Sequence, residues 1–193
     1  MTGAADPGPG PAVALGSLGS VGMSDTVPLD LEAYDRGLPR KRMGAGVLFF
    51  DAGGRVLLVD PVYKATWEIP GGVVDADESP GQAAVREVQE ELGLTLPLGP
   101  LLVVDWIPPS AGSSISVASE GLMTVFDGGI LAVEQVAAIV LQNTELRGWA
   151  FVGADGLDDF VHDRMARRLR AAIGARQAGA AVYLENGHPT GAA

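Results

Sequence analysis

The sequence contains no cysteine, which excludes disulfide bonds, thiolate nucleophiles and zinc sites built on sulfur. Its two histidines, His162 and His188, are too few for a histidine-rich metal site. No apolar run approaches the length needed to span a bilayer, so we expect no membrane association. The lack of cysteine is compatible with the cytoplasm, where we expect the protein to be.

Basic residues are scarce, because 13 lysines and arginines stand against 24 aspartates and glutamates and the net charge is -11. Proteins that bind nucleic-acid polymers usually carry a basic surface, so such a polymer is not an expected partner. The acidic balance would also repel a free diphosphate. A small phosphorylated substrate is still compatible with this charge if metal ions screen the binding cleft.

The length of 193 residues predicts one domain, which we place over residues 40–185. Residues 1–22 are almost entirely small or apolar and lack the positive start of a signal peptide, so we expect a disordered tail there. Residues 186–193 are expected to form a flexible tail. A homodimer is compatible with this organisation.

Hydrophobic patterns and turn residues predict a mixed sheet between helices. Strands are expected over 44–50, 55–60, 101–107, 122–126, 146–152 and 180–184, and residues 67–70 are strand-like. A loop is expected over 71–78, a polar loop over 110–119 and turns over 127–129 and 186–187. Residues 130–141 fit helix or strand, residues 155–160 open a helical turn, and an amphipathic helix is expected over 161–177, where His162 is interpreted as a surface or capping residue.

Capping residues predict a second helix between Ser79 and Gly93. Ser79 can cap the start and Gln82 stands three residues later, which is the spacing of a capping box. Pro80 falls at the first helical position, and Gly93 suits the C-terminal end.

Three carboxylates share one side of this helix. At about 100° per residue, Glu87, Glu90 and Glu91 lie within an arc of about 100°. Charges of one sign so close together repel each other, and the single Arg86 cannot neutralise all three. A hard cation such as Mg²⁺, which prefers carboxylate and phosphate oxygens, would do so. The alternative is an ordinary solvated acidic face, as most charge runs are.

The segment from Gly72 to Leu94 resembles the Nudix box, G-x5-E-x7-R-E-U-x-E-E-x-G-U, in which U is aliphatic. Every fixed position matches; these positions are Gly72, Glu78, Arg86, Glu87, Val88, Glu90, Glu91, Gly93 and Leu94. The resemblance implies an α/β fold, a Nudix-type alpha/beta/alpha sandwich with a mixed β-sheet, over about residues 40–185.

The same resemblance implies a Mg²⁺-dependent hydrolase, with Mn²⁺ as a second candidate ion. It would act on a small molecule in which a nucleoside diphosphate, or another diphosphate, is linked to a further group. The implied metal ligands are Glu87, Glu90, Glu91 and the backbone carbonyl near Gly71. Arg86 would orient Glu90, and Glu78 would hold the loop or assist at the metal.

Metal ions would bridge the diphosphate and lower the pKa of a bound water that attacks phosphorus. A carboxylate would remove its proton, and Glu90 and Glu120 are both candidates. Substrate contacts are expected from Tyr63, whose ring could stack on a base, from Arg55 and from Pro109. Pro109 stands fifteen positions after Leu94, which is similar to ADP-ribose pyrophosphatases.

The substrate stays open between ADP-ribose and a normal or oxidised nucleoside triphosphate. A non-nucleotide diphosphate, such as a prenyl or sugar diphosphate, is an alternative. So is a ligand-sensing module that has lost hydrolysis, although the complete set Glu87, Glu90 and Glu91 argues against that reading.

Overall fold

The computed structural model describes residues 30–109 and 120–190, which fall into two compact units. The first unit, described from residue 30 to 39, contains α1 (Leu31–Gly37), whose N-cap Asp30 accepts a hydrogen bond from the Ala33 N–H at 3.0 Å. The second unit begins at Arg40. The predicted tail over 1–22 and the predicted loop over 110–119 lie outside the described residues.

The second unit is built on one mixed sheet, which has eight strands within the described residues. The strands are β1 (Arg42–Phe50), β2 (Val56–Pro61), β3 (Gly71–Val73), β4 (Leu101–Ile107), β5 (Gly121–Ile130), β6 (Leu146–Val152), β7 (Val182–Glu185) and β8 (His188–Pro189). Their order across the sheet is β6-β2-β1-β5-β4-β7-β8, with β3 paired to β1. The pairs β1–β5 and β4–β7 are parallel and the others are antiparallel.

Helices cover both faces of the sheet. They are α2 (Pro80–Leu92), α3 (Val133–Ala137) and α4 (Asp163–Ala178), with a short 3₁₀ helix over Ala154–Asp159. Successive side chains of β1 alternate between the faces, so Val47 and Phe49 pack with α2 while Leu48 and Phe50 pack with α4. The alpha/beta/alpha sandwich with a mixed sheet is confirmed. No described helix is both long and apolar enough to cross a membrane.

The turn predicted over residues 127–129 is wrong, because these residues lie inside β5. The register between β1 and β5 shifts there, which makes a β-bulge at Gly128. A Cβ on Gly128 would overlap the Phe49 ring, and Gly129 has φ +75° with its N–H donating to Asp127 Oδ1 at 2.8 Å. Residues typical of turns therefore serve here to bend a strand.

Two other boundaries differ from the expectations. Residues 67–70 make one isolated bridge, between Glu68 and Val59, and the strand follows at β3, where the predicted loop begins. At the other end of the chain the predicted turn is confirmed, with positive φ at Asn186 and Gly187. That turn joins β7 to β8, so the sheet includes the first residues of the predicted tail.

Candidate active site

The site begins at two glycines that bring the backbone close to α2. Gly71 and Gly72 pair with Gly46 and Ala45 of β1. Gly71 has φ +147°, and a Cβ on it would overlap the Ala45 carbonyl. A Cβ on Gly72 would overlap the Glu87 carboxylate. Position 71 therefore requires glycine, whereas a side chain at position 72 would displace the Glu87 carboxylate.

The helix α2 starts and ends as its caps predict. Ser79 Oγ accepts a hydrogen bond from the Gln82 N–H at 3.2 Å, and Gln82 Oε1 accepts one from the Ser79 N–H at 2.9 Å. Gly93 closes the helix in the left-handed conformation with φ +69°. These caps hold the carboxylate-bearing turns of α2 against β3.

Arg86 ties the loop after β3 to the helix. Its guanidinium donates two hydrogen bonds of 3.0 Å to Glu78, and it also donates to Glu87 at 2.9 Å and to Glu90 at 3.0 Å. A further bond of 3.2 Å reaches the Val73 carbonyl. The bidentate contact with Arg86 lowers the pKa of Glu78, so this loop carboxylate stays ionised.

Glu91 is buried, with 8% of its surface exposed, and does not lie on a solvated face as the helical arc suggested. The turn of α2 that carries Glu91 faces β3, where its carboxylate accepts a hydrogen bond from the Gly71 N–H at 2.9 Å. Burial, opposed by this bond and reinforced by the charges of Glu87, Glu68 and Glu145, raises the pKa of Glu91 to about 8. Burial also raises the pKa of Glu87.

The donor set at this point fits a hard divalent cation. Glu91 and Glu87 offer carboxylate oxygens beside the Gly71 backbone, and among the described residues only Arg86, which pairs with Glu87, offsets their mutual repulsion. Within residues 30–109 and 120–190, no three such side chains converge as a finished metal site. Binding of an ion would therefore require Glu87 or Glu90 to exchange Arg86 for the metal.

A cleft of about 350 Å³ opens from β3 along the surface between β1, β5 and the start of α4. Gly71 and Gly72 lie at one end, and Arg42 and Arg164 lie toward the other, because Arg42 stands four residues along β1 from the partner of Gly71. The floor is apolar; its residues are Met43, Ile69, Ile107, Leu122, Met123 and Met165. The cleft therefore runs from the two glycines that contact Glu91 and Glu87 to a basic region.

The structure brings Tyr63 to this cleft, but the other predicted residues Arg55, Pro109 and Glu120 do not line it. Tyr63 is 70% exposed and lines the cleft, and its pKa is raised by partial burial and by the carboxylates of Glu68 and Glu91. Arg55 donates to Asp51 at the β1–β2 turn, and Pro109 follows the end of β4; neither lines the cleft.

Glu120 lies near Lys41, with which it forms an ion pair, and it accepts a hydrogen bond from Trp106 Nε1 at 2.9 Å. These contacts lower the pKa of Glu120, with Lys41 as the largest cause. The next residue, Gly121, pairs with Arg42, whereas Gly71 pairs with Gly46. Four residues of extended strand, about 13 Å, therefore separate the two positions.

Sequence reasoning missed Arg42 and Arg164 as cleft residues. His162 caps α4 as expected, since Nδ1 accepts a hydrogen bond from the Met165 N–H at 3.3 Å, and it lines the cleft as well. No local pattern marks these residues, because Arg42 begins β1 and the other two begin α4. The sequence of α4 contains several arginines, and its helical pattern does not show which of them faces the cleft.

The sequence model of the NUDIX domain family matches residues 40–172. The chain belongs to this family. Among curated relatives, Diphosphoinositol polyphosphate phosphohydrolase 2 of Mus musculus is 41% identical over 76 residues, which cover 39% of this chain and 42% of that protein. The chain thus spans about two fifths of the length of the curated relatives that it matches first.

Solved structures share the fold at low sequence identity. The MutT protein from Methanosarcina mazei Go1 has a TM-score of 0.56 and 19% identity, covering 74% of this chain and 98% of that chain. An ADP-ribose pyrophosphatase from Streptococcus suis 89-1591 has a TM-score of 0.54 and 19% identity, covering 76% of this chain and 99% of that chain. These likenesses support the sandwich architecture.

Proposed function

We propose that the protein hydrolyses a diphosphate bond in a small molecule with the help of a divalent metal ion, Mg²⁺ or Mn²⁺. The observation that carries this proposal is the buried Glu91 carboxylate, held by the Gly71 N–H beside Glu87. A buried carboxylate close to another acid destabilises the fold unless a cation or a proton compensates it. NUDIX family members generally use divalent metals, and the curated relative named above is a phosphohydrolase by name.

In this proposal Glu87, Glu90, Glu91 and the Gly71 carbonyl hold the metal. The bound ion would supply charge compensation on the diphosphate and an activated water. Arg86 keeps Glu90 near the site through their 3.0 Å hydrogen bond, and Glu78 fixes Arg86 in turn. These roles rest on the Nudix box positions and on the geometry of the network.

Geometry favours Glu90 over Glu120 as the group that removes the proton from water. Glu90 lies on the same helical surface as Glu87 and is half exposed, so it can reach a substrate. Glu120 is engaged by Lys41 and Trp106 and does not line the cleft. We therefore propose Glu90 for this role.

The apolar floor of the cleft supports the alternative substrate class, the non-nucleotide diphosphates. Met43, Ile69 and Met123 would suit a prenyl chain or the face of a sugar, whereas the exposed ring of Tyr63 would suit a base. ADP-ribose, to which the solved neighbour's name refers, and nucleoside triphosphates thus compete with non-nucleotide diphosphates.

The deciding experiment measures phosphate or nucleotide release from a panel of diphosphates with Mg²⁺, with Mn²⁺ and with a chelator. The panel contains ADP-ribose, nucleotide sugars, normal and oxidised nucleoside triphosphates and prenyl diphosphates. We expect metal-dependent turnover of one class, reduced at least a hundredfold in Glu91→Gln. Metal-independent turnover, or an unaffected Glu91→Gln enzyme, would contradict the metal assignment. Tight binding without turnover would instead favour a ligand-sensing module.

A further inference from the structure

The basic end of the cleft is unusual in a chain of net charge -11. Arg42 and Arg164 line it, and neither arginine forms an ion pair within the described residues. By contrast, the neighbouring Arg168 is neutralised by the buried Asp105 at 2.7 Å. Two cations thus face the cleft without a protein counter-charge in contact.

Arg164 also carries an unsatisfied donor. Its Nε is buried and donates to no acceptor within the described residues. Partial burial lowers the pKa of Arg164, and the positive charges of Arg168, Arg167 and Arg42 lower it further, while Asp105 opposes them. A buried guanidinium N–H without an acceptor is costly, and an anion in the cleft would relieve that cost.

Acidic groups near this region are few and already engaged or turned to solvent. Glu120, which precedes the strand partner of Arg42, is paired with Lys41, and Glu68 is paired with Lys64. Asp105 is occupied by Arg168 and Gly187, and Asp163 is exposed at the first turn of α4. The Arg167 guanidinium donates to the Asn186 carbonyl. The net charge facing this end of the cleft is therefore positive.

We propose that Arg42 and Arg164 bind a second anionic group, a phosphate monoester, on a substrate whose diphosphate is cleaved at the carboxylate end of the same cleft. A dianionic phosphate matches two guanidinium groups from different elements better than a neutral group does. The inference rests on the proposed hydrolysis and narrows its substrate class. Arg42 stands four residues along β1 from Gly46, the partner of Gly71, so roughly 13 Å of strand separates the two ends.

The test compares ADP-ribose with ADP-ribose 2′-phosphate, because the two compounds differ by one phosphate monoester. Binding of each to the full chain is measured by calorimetry with Ca²⁺ in place of Mg²⁺, so that a cation screens the carboxylates while hydrolysis is suppressed. We expect the phosphorylated compound to bind at least tenfold more tightly. Arg42→Ala and Arg164→Ala should each remove most of this ratio, and Arg164→Lys should retain part of it.

The control is Arg170→Ala on the same helix. Arg170 pairs with the exposed Asp158 and does not line the cleft, so its loss removes the same charge without touching the region and should leave the ratio unchanged. Because Arg42 is exposed at the start of β1, Arg42→Ala keeps the test informative if Arg164→Ala does not fold.

The outcomes separate the two proposals. Equal affinity for the two compounds, absence of binding to either, or a ratio that survives both Arg42→Ala and Arg164→Ala would overturn the second phosphate subsite. If the ratio behaves as expected but no member of the diphosphate panel is hydrolysed, the subsite stands and the hydrolase proposal fails. If both compounds are hydrolysed with the same KM, the hydrolase proposal stands and the second phosphate subsite fails.

Discussion

The position of Glu91 suits metal binding but disfavours its ionised form. Its place against β3 aims the carboxylate at the Gly71 backbone, yet burial and the nearby Glu87 raise its pKa to about 8. In the absence of a cation, the folded chain therefore holds a proton there near neutral pH. A metal ion must displace this proton to bind Glu91, so metal binding would release a proton and weaken as the pH falls below about 8.

The protonation of Glu91 predicts a pH-dependent stability difference. In the unfolded chain its pKa is near the ordinary 4.5, so the unfolded state releases the proton first as pH rises, and the free energy of unfolding falls between about pH 4.5 and 8. Glu91→Gln keeps an acceptor for the Gly71 N–H and removes this titration. We expect the variant to match wild type near pH 5 and to exceed it at pH 8 by on the order of a few kcal/mol.

Urea denaturation at both pH values, with a chelator present, measures this difference. Titrating groups that do not interact with Glu91 are common to wild type and Glu91→Gln and cancel in the comparison, so the remaining difference reports Glu91 and the groups coupled to it, such as Glu87. The same offset between the two proteins at pH 5 and at pH 8 would show that Glu91 does not carry the raised pKa.

Gly72 sets the position of the Glu87 carboxylate, because no Cβ fits between them. Gly72→Ala should displace Glu87 and lower kcat by about a hundredfold on whichever diphosphate is the substrate, since small misplacements of catalytic groups are costly. Gly148→Ala is the matched control, because a Cβ there meets nothing within 4 Å. Equal kcat values for the two variants would show that the position of Glu87 does not matter.

The sequence predicted which residues share the acidic side of α2 but not how much of that side is covered. Angles along a helix place Glu91 beside Glu87, yet only the pairing of Gly71 with β1 shows that β3 lies against Glu91. Arg42 and Arg164 were missed for a related reason. They come from segments far apart in the chain, and the sheet brings them together.

Among the elements, α2 depends visibly on its N-terminal cap. Ser79→Ala would break the reciprocal bonds with Gln82 and should cost about 1 kcal/mol of unfolding free energy. That loss corresponds to a fall in Tm of roughly 2–4 °C for a chain of this size. Ser79→Asp keeps an acceptor at the cap and should stay close to wild type in the same thermal melt. An unchanged Tm in Ser79→Ala would mean that the cap contributes nothing measurable.

Elements with strong local signals were predicted with accurate bounds. The strands over 101–107 and 146–152 match β4 and β6, and the cap residues fix α2. The bulge at Gly128 and the short β8 were not predicted, because a bulge depends on the register with β1 and β8 depends on the edge of β7. Local sequence carries neither piece of information.

At the scale of the whole molecule, the buried pair of Asp105 and Arg168 joins α4 to the sheet. Asp105 is fully buried, and its second oxygen accepts a hydrogen bond from the Gly187 N–H at 3.0 Å, so one carboxylate holds β4, α4 and the β7–β8 turn. Arg168→Met should cost about 3–5 kcal/mol, because it leaves a buried charge without a partner.

The double variant Asp105→Asn with Arg168→Met tests that explanation by chemical denaturation. Asparagine keeps an acceptor for Gly187 and removes the charge, so the double variant should recover most of the loss. If the double variant is as unstable as Arg168→Met alone, packing of the arginine stem rather than charge accounts for the effect.

The parallel pairing of β1 with β5 has a consequence for the order of folding. Arg42 lies opposite Gly121, so the centre of the sheet joins residues about eighty positions apart. Closing so long a loop is slow, and a ribosome must synthesise β5 before β1 can find this neighbour. Until then the apolar edge of β1 stays open, which makes the interval before β5 emerges the time when the nascent chain is most prone to aggregate.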